Sequence, residues 1–398
     1  MESKRLYVDF HVLQTVPPSC VNRDDTGSPK TAVYGGATRA RVSSQAWKRA
    51  MRLMFATELL DSKELGIRTK KIVRVVSEQI ENIDPACDAK KLALDALEKV
   101  GFERKKLLKA EKDTQGESEG ADNDVLLFIG AQQARALAEL IVQDSKLANE
   151  ATAKSSAEEL EEESTSKKKK EKSKVDQRYV QAMSDNPTLD MVLFGRMVAK
   201  NPSLNYDAAV QVAHSISTHA VENEFDFFTA LDDLSDGSGA AHLSTKEYNS
   251  ATLYRYADVN VLELVRSFGK EKATQAVRYF AEAFIRSMPT GSQNSYANRT
   301  LPDAVYVTLR TDQPVNLCGA FEKAVPATAN GFVGPSKAAL ADYAQKVYTS
   351  YADAPLQAFT VGDGLEALAP AQPLGRMLDA LEAAVGQQLG AETGNGVE

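Results

Sequence analysis

GGATRARVSSQAWKRAMR, residues 35–52, is the stretch on which the reading of this chain turns. Six basic residues fall between Lys30 and Arg52, and no acid occurs from Thr26 to Thr57. The whole protein is nevertheless acidic, with a net charge of −8 and a pI near 5.3. A local cationic patch on an acidic chain points to a specific polyanion site rather than to general adhesion. Ser43 or Ser44 can cap a helix that runs to about Leu60. Trp47, Ala50, Met51, Met54 and Phe55 recur at helical spacing and make one apolar face, with Gln45, Lys48, Arg49 and Arg52 on the other. A helix N-terminus with serine hydroxyls and a basic stripe is suited to holding phosphate. The alternative is an amphipathic helix with a solvated charged face.

Outward from this stretch, Leu6, Val8, Phe10 and Val12 alternate as a half-buried strand that Pro17-Pro18 is expected to end. A polar loop with Asn22, Arg23, Asp24 and Asp25 leads to the helix. Residues 64–194 are helical and charged, with helical spacing over 65–82, 88–110 and 124–143. The blocks EELEEEST and KKKKEKSK within 154–178 cannot bury a core and are expected to be mobile. Alternation returns at 209–221 as a strand, and residues 223–252 form an excursion that LYRYADVNV, 253–261, closes. A helix is expected over 270–287, a strand over 303–311, and helices over 336–350 and 375–388. Strands interleaved with two amphipathic helices, plus one helical insertion, suggest an α+β protein with a split βαββαβ core.

At 398 residues the chain has room for two or three domains, and 43% hydrophobic content supports a real core. No run of 18 apolar residues occurs, so no transmembrane span is expected. MESKRLYVDF lacks the apolar segment of a signal peptide. Cys20, Cys87 and Cys318 are odd in number, far apart and without CxxC spacing, which fits a reduced, cytoplasmic protein.

Catalytic motifs are weak. His11, His214, His219 and His242 show neither HxH nor HExxH spacing, and no GxxxxGK[ST] loop is present. DDLSDG, 232–237, has Leu234 and Leu243 where a calcium loop needs oxygen ligands. One enzymatic reading remains: Asp24 and Asp25 beside a bound RNA could hold Mg²⁺ and cut a target strand. The alternative is that these aspartates pair with Arg23 or Lys30.

The segment PSCVNRDDTGSPKTAVYGGATRARVSSQAWKRAMR, with LFGRMVA at 193–199, AHSISTHAVENEFDFFTALDDL at 213–234 and AHLSTKEYNSATLYRYADVN at 241–260, resembles the CasC backbone subunits of the type I-E CRISPR complex Cascade, the CT1975-like family. The resemblance spans most of residues 5–325. It implies a ferredoxin-like, RRM-like palm over 1–60, 196–222 and 253–350. It also implies helical fingers over 61–195 and a β-hairpin thumb over 223–252, while the residues themselves, outside the resemblance, suggest a C-terminal helical segment over 351–398. It implies no cofactor and no catalysis, whereas type III relatives cut RNA through a loop aspartate.

The partners it implies are CRISPR RNA, target DNA through the guide, further copies of the chain along a filament, and other Cascade subunits, with no membrane. Lys30, Ser43, Gln45, Lys48, Arg49 and Arg52 match positions that hold the guide backbone, and Arg23 matches a basic position of the same motif. Met197 matches a methionine that packs on bases. Phe227, Phe228 and Thr229 match a wedge in the thumb. The loop MPTGSQNSY, 288–296, matches an RNA-facing loop whose lysine is absent here, leaving Gln293 and Asn294.

Overall fold

The computed structural model describes residues 5–112, 126–155, 176–198, 201–230 and 242–391. The first strand, β1 (Tyr7–Ser19), does not stop at Pro17-Pro18. Its register with a later strand shifts between Val16 and Ser19. The two prolines, which have no N–H to give a ladder, sit in that irregularity. Next come β2 (Thr31–Tyr34) and β3 (Ala37–Val42), an antiparallel hairpin inside the stretch expected to be loop. Gly35 and Gly36 are its turn, at φ +58° and +75°, the left-handed pair that a two-residue hairpin requires. A Cβ on Gly35 would also lie 1.6 Å from the Glu322 carbonyl oxygen.

Helix α1 (Ser44–Met54) follows and continues as a π-helical turn over Phe55–Leu59. Trp47, Ala50, Met51, Met54 and Phe55 are all buried, as the spacing requires. Each of the larger side chains contributes about 1.5–3 kcal/mol by leaving water.

Residues Leu60–Ala208 form a compact unit of their own. Its elements are β4 (Gly66–Thr69), α2 (Ile72–Ile83), α3 (Ala89–Val100), α4 (Arg104–Lys112), β5 (Leu127–Gly130), α5 (Ala131–Ser155), α6 (Gln177–Ser184) and α7 (Leu189–Phe194). Ile72, Val76, Ile80, Leu97, Leu137 and Ile141 centre its core. The apolar run LFIG, expected to be helical, is a strand because it pairs with β4; periodicity cannot separate a short buried strand from a helix. Residues 196–208, expected in the palm, belong here. Arg196 and Tyr206 form an antiparallel bridge, and Arg196 donates to the carbonyls of Met183 and Leu204. The charge blocks at 154–178 lie largely outside the described residues, as does DDLSDG.

The other unit joins residues 1–59 to 209–398. Its later elements are β6 (Val210–Val212), β7 (Ser215–Ser217), β8 (Glu224–Ala230), β9 (His242–Asn260), α8 (Val261–Phe268), α9 (Lys270–Arg286), the single turn α10 (Gln293–Tyr296), β10 (Ala304–Arg310), α11 (Val333–Ser350), β11 (Gln357–Val361) and α12 (Leu374–Ala391). The sheet runs β11-β10-β1-β9-β7-β3-β2, with β6 and β8 also paired to β9. The region 351–398, expected as a separate helical segment, instead supplies edge strand β11, antiparallel to β10.

Both faces of this sheet are covered. On one, Phe10 meets Phe280 and Phe284 of α9 at ring distances of 5.4 and 6.0 Å. On the same side the buried Arg255 lies 3.8 Å over Trp47 and 4.7 Å over Phe284, joining α1 to α9. The other face carries His11, Tyr254, Tyr256 and Tyr306, all buried. There Tyr254, Tyr256 and Tyr306 pack with Leu317, Phe321 and Leu340 from the segment that ends in α11.

Candidate nucleic-acid interface

Asn22 ties the loop after β1 to the start of α1: its side-chain oxygen accepts from Ser43 N at 2.9 Å, and its carbonyl accepts from Lys30 N at 2.8 Å. Lys30 O in turn accepts from Arg41 N at 2.9 Å. Loop, strand edge and helix terminus are therefore one rigid corner. Ser43 is the N-cap, its hydroxyl accepting from Ala46 N, and it is 6% exposed. It shapes the helix start more than it offers a free hydroxyl. No acid occupies the first turn of α1, so the positive end of the helix is not neutralised. Gln45 and Arg49 are exposed, while Lys30, Lys48 and Arg52 are half-buried.

The cationic run is divided. Arg39 is fully buried. It donates to the carbonyls of Ser217 and Thr218 at 3.0 and 2.9 Å and to Phe321 O at 2.9 Å. It is a structural pin, not a ligand. Arg41 was not singled out by the sequence, yet it stands at the corner. Its Nη1 lies 3.3 Å from His214 Nδ1. Partial burial, with Arg41 and Lys30 nearby, lowers the His214 pKa. His214 is thus held neutral and accepts from Arg41.

The Asp24 carboxylate is engaged by its own turn. Asp24 Oδ1 accepts from Thr26 N, Thr26 Oγ1 and Ser28 N at 2.9, 2.7 and 3.0 Å. These bonds, that from the Thr26 hydroxyl foremost, hold its pKa below the usual carboxylate range. These hydrogen bonds to Asp24 come from its own turn rather than from Arg23 or Lys30, and Asp25 and Arg23 are exposed. Among the described residues no group of three or more His, Cys, Asp or Glu side chains could hold a metal.

Loop 288–299 adjoins the same corner. A Cβ on Gly291 would lie 2.0 Å from the Val21 carbonyl oxygen, so only glycine allows this approach. Gln293 is half-buried and Asn294 exposed. The cation at this loop comes from a neighbouring strand, with Lys246 Nζ 5.0 Å over the Tyr296 ring. Tyr248 lies 6.1 Å from the same ring.

β8 and the first part of β9 form the hairpin, with Phe227 opposite Thr245 and Phe228 opposite Ser244. Strand alternation sends Phe227 and Phe228 to opposite faces. One face presents Phe225, Phe227 and Leu243, exposed by 67%, 66% and 60%. The other holds Phe228, Lys246 and Tyr248. Thr229 shares the Phe227 face and is exposed. A two-sided blade is the result, not a single wedge of adjacent phenylalanines. Met197 is 82% exposed and belongs to the Leu60–Ala208 unit.

His11 and His219 are core residues. The His219 ring stacks on Phe332 at 3.6 Å. Its Nε2 accepts from Thr252 N at 3.1 Å. Its Nδ1, 2.8 Å from Ala220 O, carries the proton. His242 lies at the edge of the described hairpin.

A family model described as CT1975-like protein matches residues 8–384. No curated protein matches this chain. A solved chain from a "CRISPR RNA-guided surveillance complex, pre-nicking" is 31% identical, with a TM-score of 0.72 over 95% of this chain and 100% of that one. A chain from a "CRISPR RNA-guided surveillance complex" is 27% identical, with a TM-score of 0.56 over 95% and 99%.

Proposed function

Because this chain belongs to the CT1975-like family of Cas proteins, we propose that it is a CasC-type backbone subunit of a type I-E Cascade. In this reading it polymerises along the CRISPR RNA in the cytoplasm and presents guide segments for pairing with target DNA. The unit built on the nine-stranded sheet acts as an RRM-like palm, Leu60–Ala208 as fingers and the β8–β9 hairpin as thumb.

The contrast between two surfaces carries the reading. An open RRM sheet stacks bases on aromatic side chains. Here the aromatic face of the sheet is sealed by the segment ending in α11. The cationic corner of Lys30, Arg41, Lys48 and Arg49 lies instead at the sheet edge, beside an unneutralised helix N-terminus, with Arg52 in the last turn of the same helix. Phosphate and ribose are what such a corner holds, so affinity depends little on guide sequence and sequence readout passes to base pairing. The protein contributes no catalysis: Asp24 is committed to its own turn, and no step is assigned to Asp25.

The experiment is purification of the full chain with its guide. A single discrete RNA length in a large assembly is expected, with no metal-dependent cleavage of a complementary RNA. RNA-free protein at the elution volume of one chain would overturn the scaffold. Cleavage lost in Asp25→Asn would replace it with a nuclease.

A further inference from the structure

Among the described residues of the sheet unit, three guanidiniums are wholly buried, those of Arg39, Arg255 and Arg310. Two of them meet opposite charge. Arg310 pairs with Asp312 at 2.6 Å, and Glu322 acts on Arg39. No described carboxylate acts on Arg255, whose pKa is lowered by burial alone, to about 9. It therefore remains a cation at neutral pH. Its contacts are with neutral groups: it donates to Gln14 Oε1 at 2.5 Å and to the Phe284 carbonyl, and its Nε has no acceptor among the described residues. A buried charge without a partner is costly, and an apolar side chain of similar volume can replace such a group without loss of stability. Core packing alone does not call for it.

The place of this charge is specific. The Arg255 guanidinium lies 3.8 Å over the Trp47 ring. Trp47 sits at the first turn of α1, the turn that holds no acid, and its indole N–H donates to Ser215 Oγ at 2.9 Å. The width of one helix, roughly 10 Å, separates the guanidinium from the outer face of α1, where Arg49 is exposed. We propose that Arg255 is a positioning residue for RNA phosphate: its uncompensated charge, held beneath the first turn of α1, adds to the positive end of that helix and draws phosphate to the corner without touching it. The inference rests on the RNA-binding reading and adds to it a residue that the exposed surface does not show. The surroundings of Arg255 are apolar and dry, so salt screens its field less than that of an exposed lysine.

The test measures binding of a fluorescein-labelled single-stranded RNA to the full chain in two variants. Arg255→Met removes the charge, and Gln14→Glu leaves the guanidinium in place but neutralises it. Each should weaken binding on the order of tenfold, the worth of one charge to a phosphate roughly 10 Å away at an effective dielectric constant of about 20. Neither removes a phosphate contact, so the slope of log K against log salt should move by far less than the roughly 0.7 that one contacting side chain carries. Trp47 is the chain's one tryptophan, and a cooperative urea transition followed by its emission shows that the fold is kept. Wild-type affinity in either folded variant overturns the proposal, because a purely structural Arg255 would leave Gln14→Glu binding normally. A cooperative transition lost from both variants also overturns it, by making the Arg255–Gln14 pair a requirement of the core. A wild-type chain that binds no RNA overturns the scaffold reading and this inference together, whereas unchanged binding in the variants overturns this inference alone.

Discussion

Arg39 and Arg49 stand ten positions apart in one cationic run and serve different ends. Arg39 gathers three carbonyls from two distant chain segments in the core, whereas Arg49 is exposed on α1. Arg39→Met leaves buried carbonyl acceptors without a donor and should cost roughly 3 kcal/mol in urea unfolding. Arg49→Ala should change stability by less than about 0.5 kcal/mol. It should still weaken RNA binding for every guide and reduce the slope of log K against log salt by roughly 0.7. Equal stability loss in the two variants, or an unchanged salt slope in the second, would refute this division.

At the scale of elements, the hairpin has little core of its own, and all seven residues of β8 are exposed. Phe227→Ala and Phe228→Ala should therefore each shift stability by no more than about 0.5 kcal/mol. Each should nevertheless weaken assembly or target binding, because a stacked base is worth about 1–3 kcal/mol. Since the two rings point to opposite faces, their losses should be nearly additive. A double variant no weaker than either single one would place both rings against the same partner. If the blade divides the guide into segments, target mismatches should be tolerated at a regular spacing, which a tiled mismatch series reads directly.

At the scale of the molecule, the sealed sheet face sets the pH response. Burial raises the Asp9 pKa to about 7, and burial lowers that of His11 to about 3. Asp9 thus adds stability at low pH that is lost as pH rises from its unfolded value of 3.8 through about 7. His11 acts oppositely, its contribution being lost as pH falls below 6.5. The two nearly cancel between about pH 4 and 6.5. Above that window the Asp9 loss exceeds the remaining His11 gain, so unfolding free energy should fall by roughly 0.5 kcal/mol between pH 6.5 and 8. Asp9→Asn should flatten this slope; an equal slope in the variant would locate the titration elsewhere. The sheet also depends on its C-terminal strand. Truncation after Ser350 removes β11 and the buried Met377, Leu381 and Val385 of α12. It should yield insoluble or unfolded protein rather than a shortened, functional one.

What the residues determined by themselves was local. Helical spacing marked the buried face of α1, and alternation marked β1 and the strand residues within 209–221, which the structure divides into β6 and β7, since period and burial are coupled by backbone geometry. The charge asymmetry of 30–52 marked the candidate interface, and the quoted motifs carried the family resemblance. Pairing and long-range approach were decided only in three dimensions. LFIG became a strand because β4 lies beside it, and Arg39 left the cationic surface because distant carbonyls surround it. The Asp24 turn depends on Ser28 N as well as Thr26. Lys246 and Arg41 joined the site because β9 and β3 carry them there. A one-dimensional pattern specifies which face of an element is apolar, but not which distant backbone will meet it.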